Sequence, residues 1–133
     1  MALPHAQPLD IINVGALGPQ LAQSVSTSLI KTERTQLLHL VLPAHQDMPE
    51  HHVDEECLIQ CLEGEVEVTM PGGSRRLRAG QLVLLPARQP HGLRARSDSA
   101  VLVTLQLRGG DAGDAGGAGA RTLQEEGSSP LKR

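Results

Sequence analysis

The chain has 133 residues, 39% of them hydrophobic, and a formal net charge of −3. This length suits one domain with a real core, built from Leu, Val, Ile, Ala and Met because Phe, Tyr and Trp are absent. The missing aromatics exclude a base-stacking or sugar-stacking surface, and the slight negative charge gives no general attraction to nucleic acid or anionic membrane.

The opening "MALPHAQPLD" lacks a basic region followed by an apolar run, so it does not read as a secretory signal. No apolar run approaches the length needed to cross a bilayer. The cytoplasm is the expected location, with Cys57 and Cys61 reduced. Residues 1–23 form an N-terminal extension in which "IINVGALGPQLAQ" is expected to hold a turn or two of helix, capping a barrel end. Residues 24–107 read as one β-domain. "SVSTSLI" alternates Val25, Thr27 and Leu29 against serines, the period of a half-buried strand. "KTER" turns, and "TQLLHLVL" follows as a more buried strand ending at Pro43. "CLIQCL" leads into Glu63-Gly64, and "EVEVTM" alternates cleanly before the turn at Pro71-Gly72-Gly73. "SRRLR", a turn at Ala79-Gly80, "QLVLLP", "HGLRAR" and "AVLVTLQL" complete the set. Short strands with turns every eight to twelve residues predict an all-β sandwich or barrel. From residue 108 the chain turns Gly-rich, with seven of the fourteen glycines in 109–133, and a disordered tail is expected.

Charge is segregated along the domain. Thr35 to Ser74 holds eight acids and no Lys or Arg, whereas Val68 to Ser97 holds six arginines and no acid. Cross-strand pairing on solvent faces accounts for this pattern, and an arginine patch for an anionic partner is the competing reading.

The stretch "MPEHHVDEECLIQCLEGEVEV", followed by "AGQLVLLPARQPHGL", resembles a small single-domain cupin over roughly Ile30 to Leu107. The first cupin box, His-x-His, three or four residues, Glu, six residues, Gly, fits at Gly64 and His51. Its glutamate place falls on Cys57, with Glu56 one residue early. Its second histidine place falls on Val53, or on His52 with the longer spacing. The second box, Gly, five residues, Pro-x-Gly-x-x-His, three residues, Asn, fits at Gly80, Pro86 and His91, with Arg88 in the glycine place and Ala95 in the amide place. The resemblance implies an antiparallel jelly-roll β-barrel that commonly pairs as a homodimer, whose inward face offers three His and one Glu to a divalent metal.

In this chain the candidate metal residues are His51, Cys57 and His91, with Glu56 and His52 as lesser candidates. Zn, Fe, Mn and Ni need three or four ligands in a compact shell. If the stretch is one bulged strand, His51, Val53 and Cys57 point inward together, and His91 approaches from a neighbour. The alternative for His51 and His91 is a hydrogen-bonded pair at the barrel mouth. A one-residue register shift would replace Cys57 by Glu56. Cys57 and Cys61, about 13 Å apart on a strand, are expected as free inward thiols, Cys61 in the core and Cys57 near the mouth as a candidate activated thiolate. His39, in an apolar strand, reads as a core histidine, and His52 as exposed. Three functions compete: a small-molecule-binding barrel with a degenerate metal box, a metal-dependent dioxygenase or isomerase, and a sensory or protein-interaction module.

Overall fold

The structure, a computed structural model, describes residues 5–108. The tail expected beyond that point lies outside the described residues. Nine strands follow one another: β1 (Thr27–Lys31), β2 (Thr35–Leu42), β3 (Asp47–His51), β4 (Cys57–Glu63), β5 (Glu65–Met70), β6 (Gly73–Arg78), β7 (Leu82–Leu85), β8 (His91–Ala95) and β9 (Ser99–Gln106). All pairings are antiparallel. They build a five-stranded sheet, β1-β2-β9-β4-β7, facing a four-stranded sheet, β3-β8-β5-β6. The expected all-β antiparallel jelly roll is the observed fold.

Period-two alternation explains the core. In β5, Val66 and Val68 are buried while Glu65 and Glu67 face outward. In β4, Cys57, Ile59 and Cys61 are buried and lie opposite Val101, Val103 and Leu105 of β9. These residues join Leu40, Leu42, Leu77, Leu85 and Leu93 in one continuous core.

The tight turn at Glu63-Gly64 carries the chain from one sheet to the other and so aligns their ends. Gly64 takes φ +78°, the left-handed backbone that favours glycine, and an added Cβ would strike the Asp98 carbonyl and Ser99. Beside it Ser99, fully buried, accepts from the Glu65 amide at 3.1 Å and lies 2.6 Å from the Ser97 carbonyl. A 3-10 turn at Gly18–Gln23 closes this same end, with Leu21 beside Val41 and Leu42. The Glu63 carboxylate accepts from the Leu17 and Gly18 amides at 2.7 and 2.9 Å. The helical segment therefore caps a barrel end, as expected. No helix among the described residues is long and apolar enough to cross a membrane.

The two outer faces differ sharply. The four-stranded sheet carries cross-strand ion pairs: Glu65 with Arg76 (3.0 Å), Glu67 with Arg96 (3.6 Å) and Asp47 with Arg94 (3.6 Å). This is the cross-strand pairing expected from the segregated charge. Exposed pairs of this kind contribute only a few tenths of a kcal/mol each. The outer face of the five-stranded sheet carries leucines (Leu37, Leu58, Leu82, Leu84 and Leu102) interspersed with His39, Gln60 and Thr104.

Three local expectations are corrected. Val25 is exposed and precedes β1, whose register slips between Ser28 and Ile30, so the alternation expected there breaks at the bulge. His39 lies on the outer face of the five-stranded sheet, because its neighbours Leu38 and Leu40 point to the core. The third concerns the candidate box itself. It is not one bulged strand: β3 ends at His51, a loop spans 52–56, and β4 starts at Cys57 in the other sheet.

Candidate functional site

His51 ends β3 and His91 begins β8, and the two face one another as a cross-strand pair. Between Met48 and His51 the register slips by one residue against β8, a bulge at Pro49-Glu50. Proline has no N–H to give a ladder, and β3 is an edge strand, so the bulge sits where a proline is tolerated. Gly92 lets β3 come close: a Cβ there would lie 2.7 Å from the Met48 carbonyl and 2.9 Å from Thr69 Oγ1. The bulge re-aims His51 so that its ring meets that of His91, centroid to centroid 4.6 Å, tilted by 51°.

Backbone carbonyls hold both rings from two residues upstream. His91 Nδ1 lies 2.9 Å from the Gln89 carbonyl, and His51 Nδ1 lies 3.3 Å from the Pro49 carbonyl. A carbonyl only accepts, so Nδ1 is the protonated nitrogen in each neutral ring and Nε2 carries the lone pair. His91 is only 4% exposed, and burial pushes its pKa below the usual 6.5; the Gln89 bond and Glu50 oppose that shift, while His52 adds to it. At neutral pH His91 is therefore an uncharged hydrogen-bond acceptor at Nε2.

Topology puts Cys57 at the same barrel end. The Glu63-Gly64 turn puts the start of β4 and the end of β5 at the same end of the barrel, and β5 pairs antiparallel with β8, so the starts of β4 and β8 lie at that end together. Cys57 faces inward and is 2% exposed, while Glu56 is exposed. The register left open by the sequence is thus settled for Cys57. Burial pushes the Cys57 thiol up to about 12, so it is a protonated core thiol and not an activated thiolate. Cys61 is fully buried with its Sγ 3.3 Å from the Glu63 carbonyl, and both thiols are free. His52 is exposed, as expected from its place beside His51.

The full ligand set that the resemblance implies does not fit these residues. Val53, packed against the apolar core, stands in one histidine place, Glu56 is exposed, and the buried Cys57 stands in the glutamate place. Among the described residues no three of His, Cys, Asp or Glu are grouped to hold a metal ion. Of the candidate residues, the structure brings the His51 and His91 rings into direct contact, with Glu50 and His52 near enough to act on His91.

Met48, Val53, Met70 and Leu105, partly buried against the core, lie on the elements at this end of the barrel, and Glu50 and His52 stand close enough to act on His91. Sequence reasoning missed Met48 and Gly92; Pro49 inside an apolar-polar run was the available signal for an edge strand with a bulge. The Arg88 amide bonds to the Val53 carbonyl at 2.9 Å, tying the 86–90 turn to the 52–56 loop. Arg88, in the glycine place of the second box, takes φ +65°, so the left-handed turn is kept without the glycine. Farther along, a wide cleft of about 410 Å3 opens at the seam between β6 and β7, over Leu77 and Val83, away from the histidines.

No curated protein matches the sequence. Solved structures do match the fold. A conserved protein of unknown function from Streptococcus pyogenes aligns with a TM-score of 0.63 at 19% identity, over 81% of this chain and 96% of that one. A cupin superfamily protein from Desulfitobacterium hafniense gives 0.62 at 17%, over 81% and 97%. An RmlC-like cupin from Desulfovibrio desulfuricans gives 0.58 at 26%, over 78% and 96%. The family model described as a cupin domain matches residues 38–106, just over half of the chain, from within β2 to the end of β9. The chain belongs to the cupin family.

Proposed function

We propose that this cupin binds a small molecule with an apolar body and a hydrogen-bond donor, such as a hydroxyl group, at the His51–His91 end of the barrel. The observation that carries this reading is the imidazole pair itself. Two rings fixed by backbone carbonyls, one of them buried, stand among side chains that are only partly covered. Apolar surroundings with a few placed polar groups are the usual makeup of a small-molecule site. The barrel interior itself is packed core, so the ligand occupies the end of the barrel and does not penetrate between the sheets. A divalent ion such as Zn, Fe, Mn or Ni would meet two imidazole nitrogens, short of the three or four that a retained metal needs, and would be held weakly. The raised Cys57 pKa gives no support to covalent catalysis at this end.

Histidine-ring NMR on protein carrying labelled imidazoles tests the reading, with 1,2-hexanediol as the probe. Saturable shifts at the His51 and His91 rings, absent from His39 and lost in His91→Leu, are expected. Equal, non-saturating shifts at all histidines would contradict it.

A further inference from the structure

We infer that the cleft between β6 and β7 is a second binding site, separate from the histidine end, for a small amphipathic monoanion such as a straight-chain carboxylate. β6 and β7 follow one another in the chain but end different sheets: β6 is an edge of the four-stranded sheet and β7 an edge of the five-stranded one. The two strands do not pair with each other, so the barrel stays open along this seam. The opening measures about 410 Å3, within the roughly 300–1,000 Å3 usual for small-molecule pockets. Its floor is apolar. Leu77 is buried, Val83 is half-buried against the core, and Leu82 stands exposed beside them.

The charge at the cleft selects the ligand. Arg75 lies opposite the buried Val68, so period two puts it on the core side of β6, in one row with Leu77. It is nevertheless exposed, because β6 is the last strand of its sheet and the seam beside it is open. The other arginine of the cleft, Arg76, has its Nε 3.0 Å from Glu65, which also faces Arg78 at 3.9 Å. Among the described residues Arg75 pairs with no carboxylate, and its guanidinium donates to the Ser74 carbonyl at 3.1 Å. Gln81 Oε1 accepts from the Arg78 amide at 2.9 Å, which leaves Nε2 of Gln81 as a donor. No Asp or Glu among the described residues lines the cleft. Its side chains therefore offer donors and one uncompensated positive charge above an apolar floor. A planar guanidinium matches a carboxylate, a single charge suits a monoanion better than a phosphate dianion, and Leu77 and Val83 take the apolar chain. An inward charge on an edge strand also discourages edge-to-edge association. That accounts for the charge of Arg75 but not for a donor-lined opening over apolar residues.

Titration of the full chain with sodium octanoate, followed by backbone-amide NMR, is the test. Saturable shifts are expected at the amides of residues 75–77 and 81–83. Arg75→Gln, at an exposed position, should weaken octanoate binding about five- to tenfold, the loss of one charge-assisted contact, with an unchanged β-sheet circular-dichroism spectrum. Arg88→Gln, which removes an exposed arginine of the 86–90 turn beside the histidine end, should leave the affinity as it is. Octylammonium, with the same chain and the opposite charge, should not shift the cleft amides. Shifts that never saturate overturn the inference, and so does an Arg75→Gln chain that binds octanoate as tightly as the wild type. Equal shifts of the cleft amides with octylammonium would reduce the site to apolar contact alone and overturn it too. Saturable shifts confined to the His51–His91 end, and abolished in His91→Leu, would place octanoate there and leave the cleft without a ligand of this class.

Discussion

Gly64→Ala is expected to destabilise the fold by roughly 2–5 kcal/mol, the sum of about 1–2 for an L-residue in left-handed backbone and about 1–3 for steric overlap. The overlap is with the Asp98 carbonyl and Ser99, and neither can give way: Asp98 Oδ1 accepts from the Ala44 amide at 2.9 Å, and Ser99 is fully buried. At about 4–8 °C per kcal/mol for a domain of this size, the melting temperature should fall by about 8 °C or more. The consequence reaches the candidate site, because this turn sets how the two sheets align and therefore which residues share the His91 end. A shift of less than about 3 °C, against the scale just given, would show that the turn is not the rigid joint described.

The second large effect is on acid stability. Burial lowers the pKa of His91 and of His39 below 6.5, with Glu63 opposing the shift at His39. Below 6.5 the unfolded chain binds protons at these sites more readily than the folded chain does. Unfolding is therefore favoured as pH falls from 6.5 through the lower folded values, and above 6.5 no loss arises from either group. Free carboxylates titrate mostly below about pH 5, so the interval between 5 and 6.5 isolates the histidines. Melting temperatures recorded across that interval should decline steadily with acidification, and the decline should flatten in a His39→Gln/His91→Gln chain. An equally steep decline in the double variant would assign the effect elsewhere.

Much of the fold was legible because most strands alternate against a core on one side only. "EVEVTM" is the clearest case, with valines in and glutamates out toward the arginines of β6 and β8. The glycine turns were equally readable: Gly64, Gly72 and Gly80 all take positive φ. His39 was misplaced for a specific reason. Both faces of β2 are apolar, one against the core and one on the outer sheet face, so period two gave no sign of which way its odd positions point. The candidate box was misread because proline and a bulge hide β3, and the 52–56 loop breaks the count between His51 and Cys57. The histidine pair itself was recoverable from the two box ends alone. The register beside it was not, because packing and not spacing sets Cys57 inward and leaves Glu56 exposed.

The central claim is that this end of the barrel holds two imidazoles in an apolar frame in place of a full metal set. Elemental analysis of the chain, purified without an affinity tag, tests it directly. The account predicts Zn, Fe, Mn and Ni all well below one per chain, and added Zn raising the melting temperature only at large excess, a gain that His91→Ala removes and His52→Ala does not. One equivalent of iron or manganese per chain, retained through purification and lost in Glu56→Gln or His52→Ala, would contradict it.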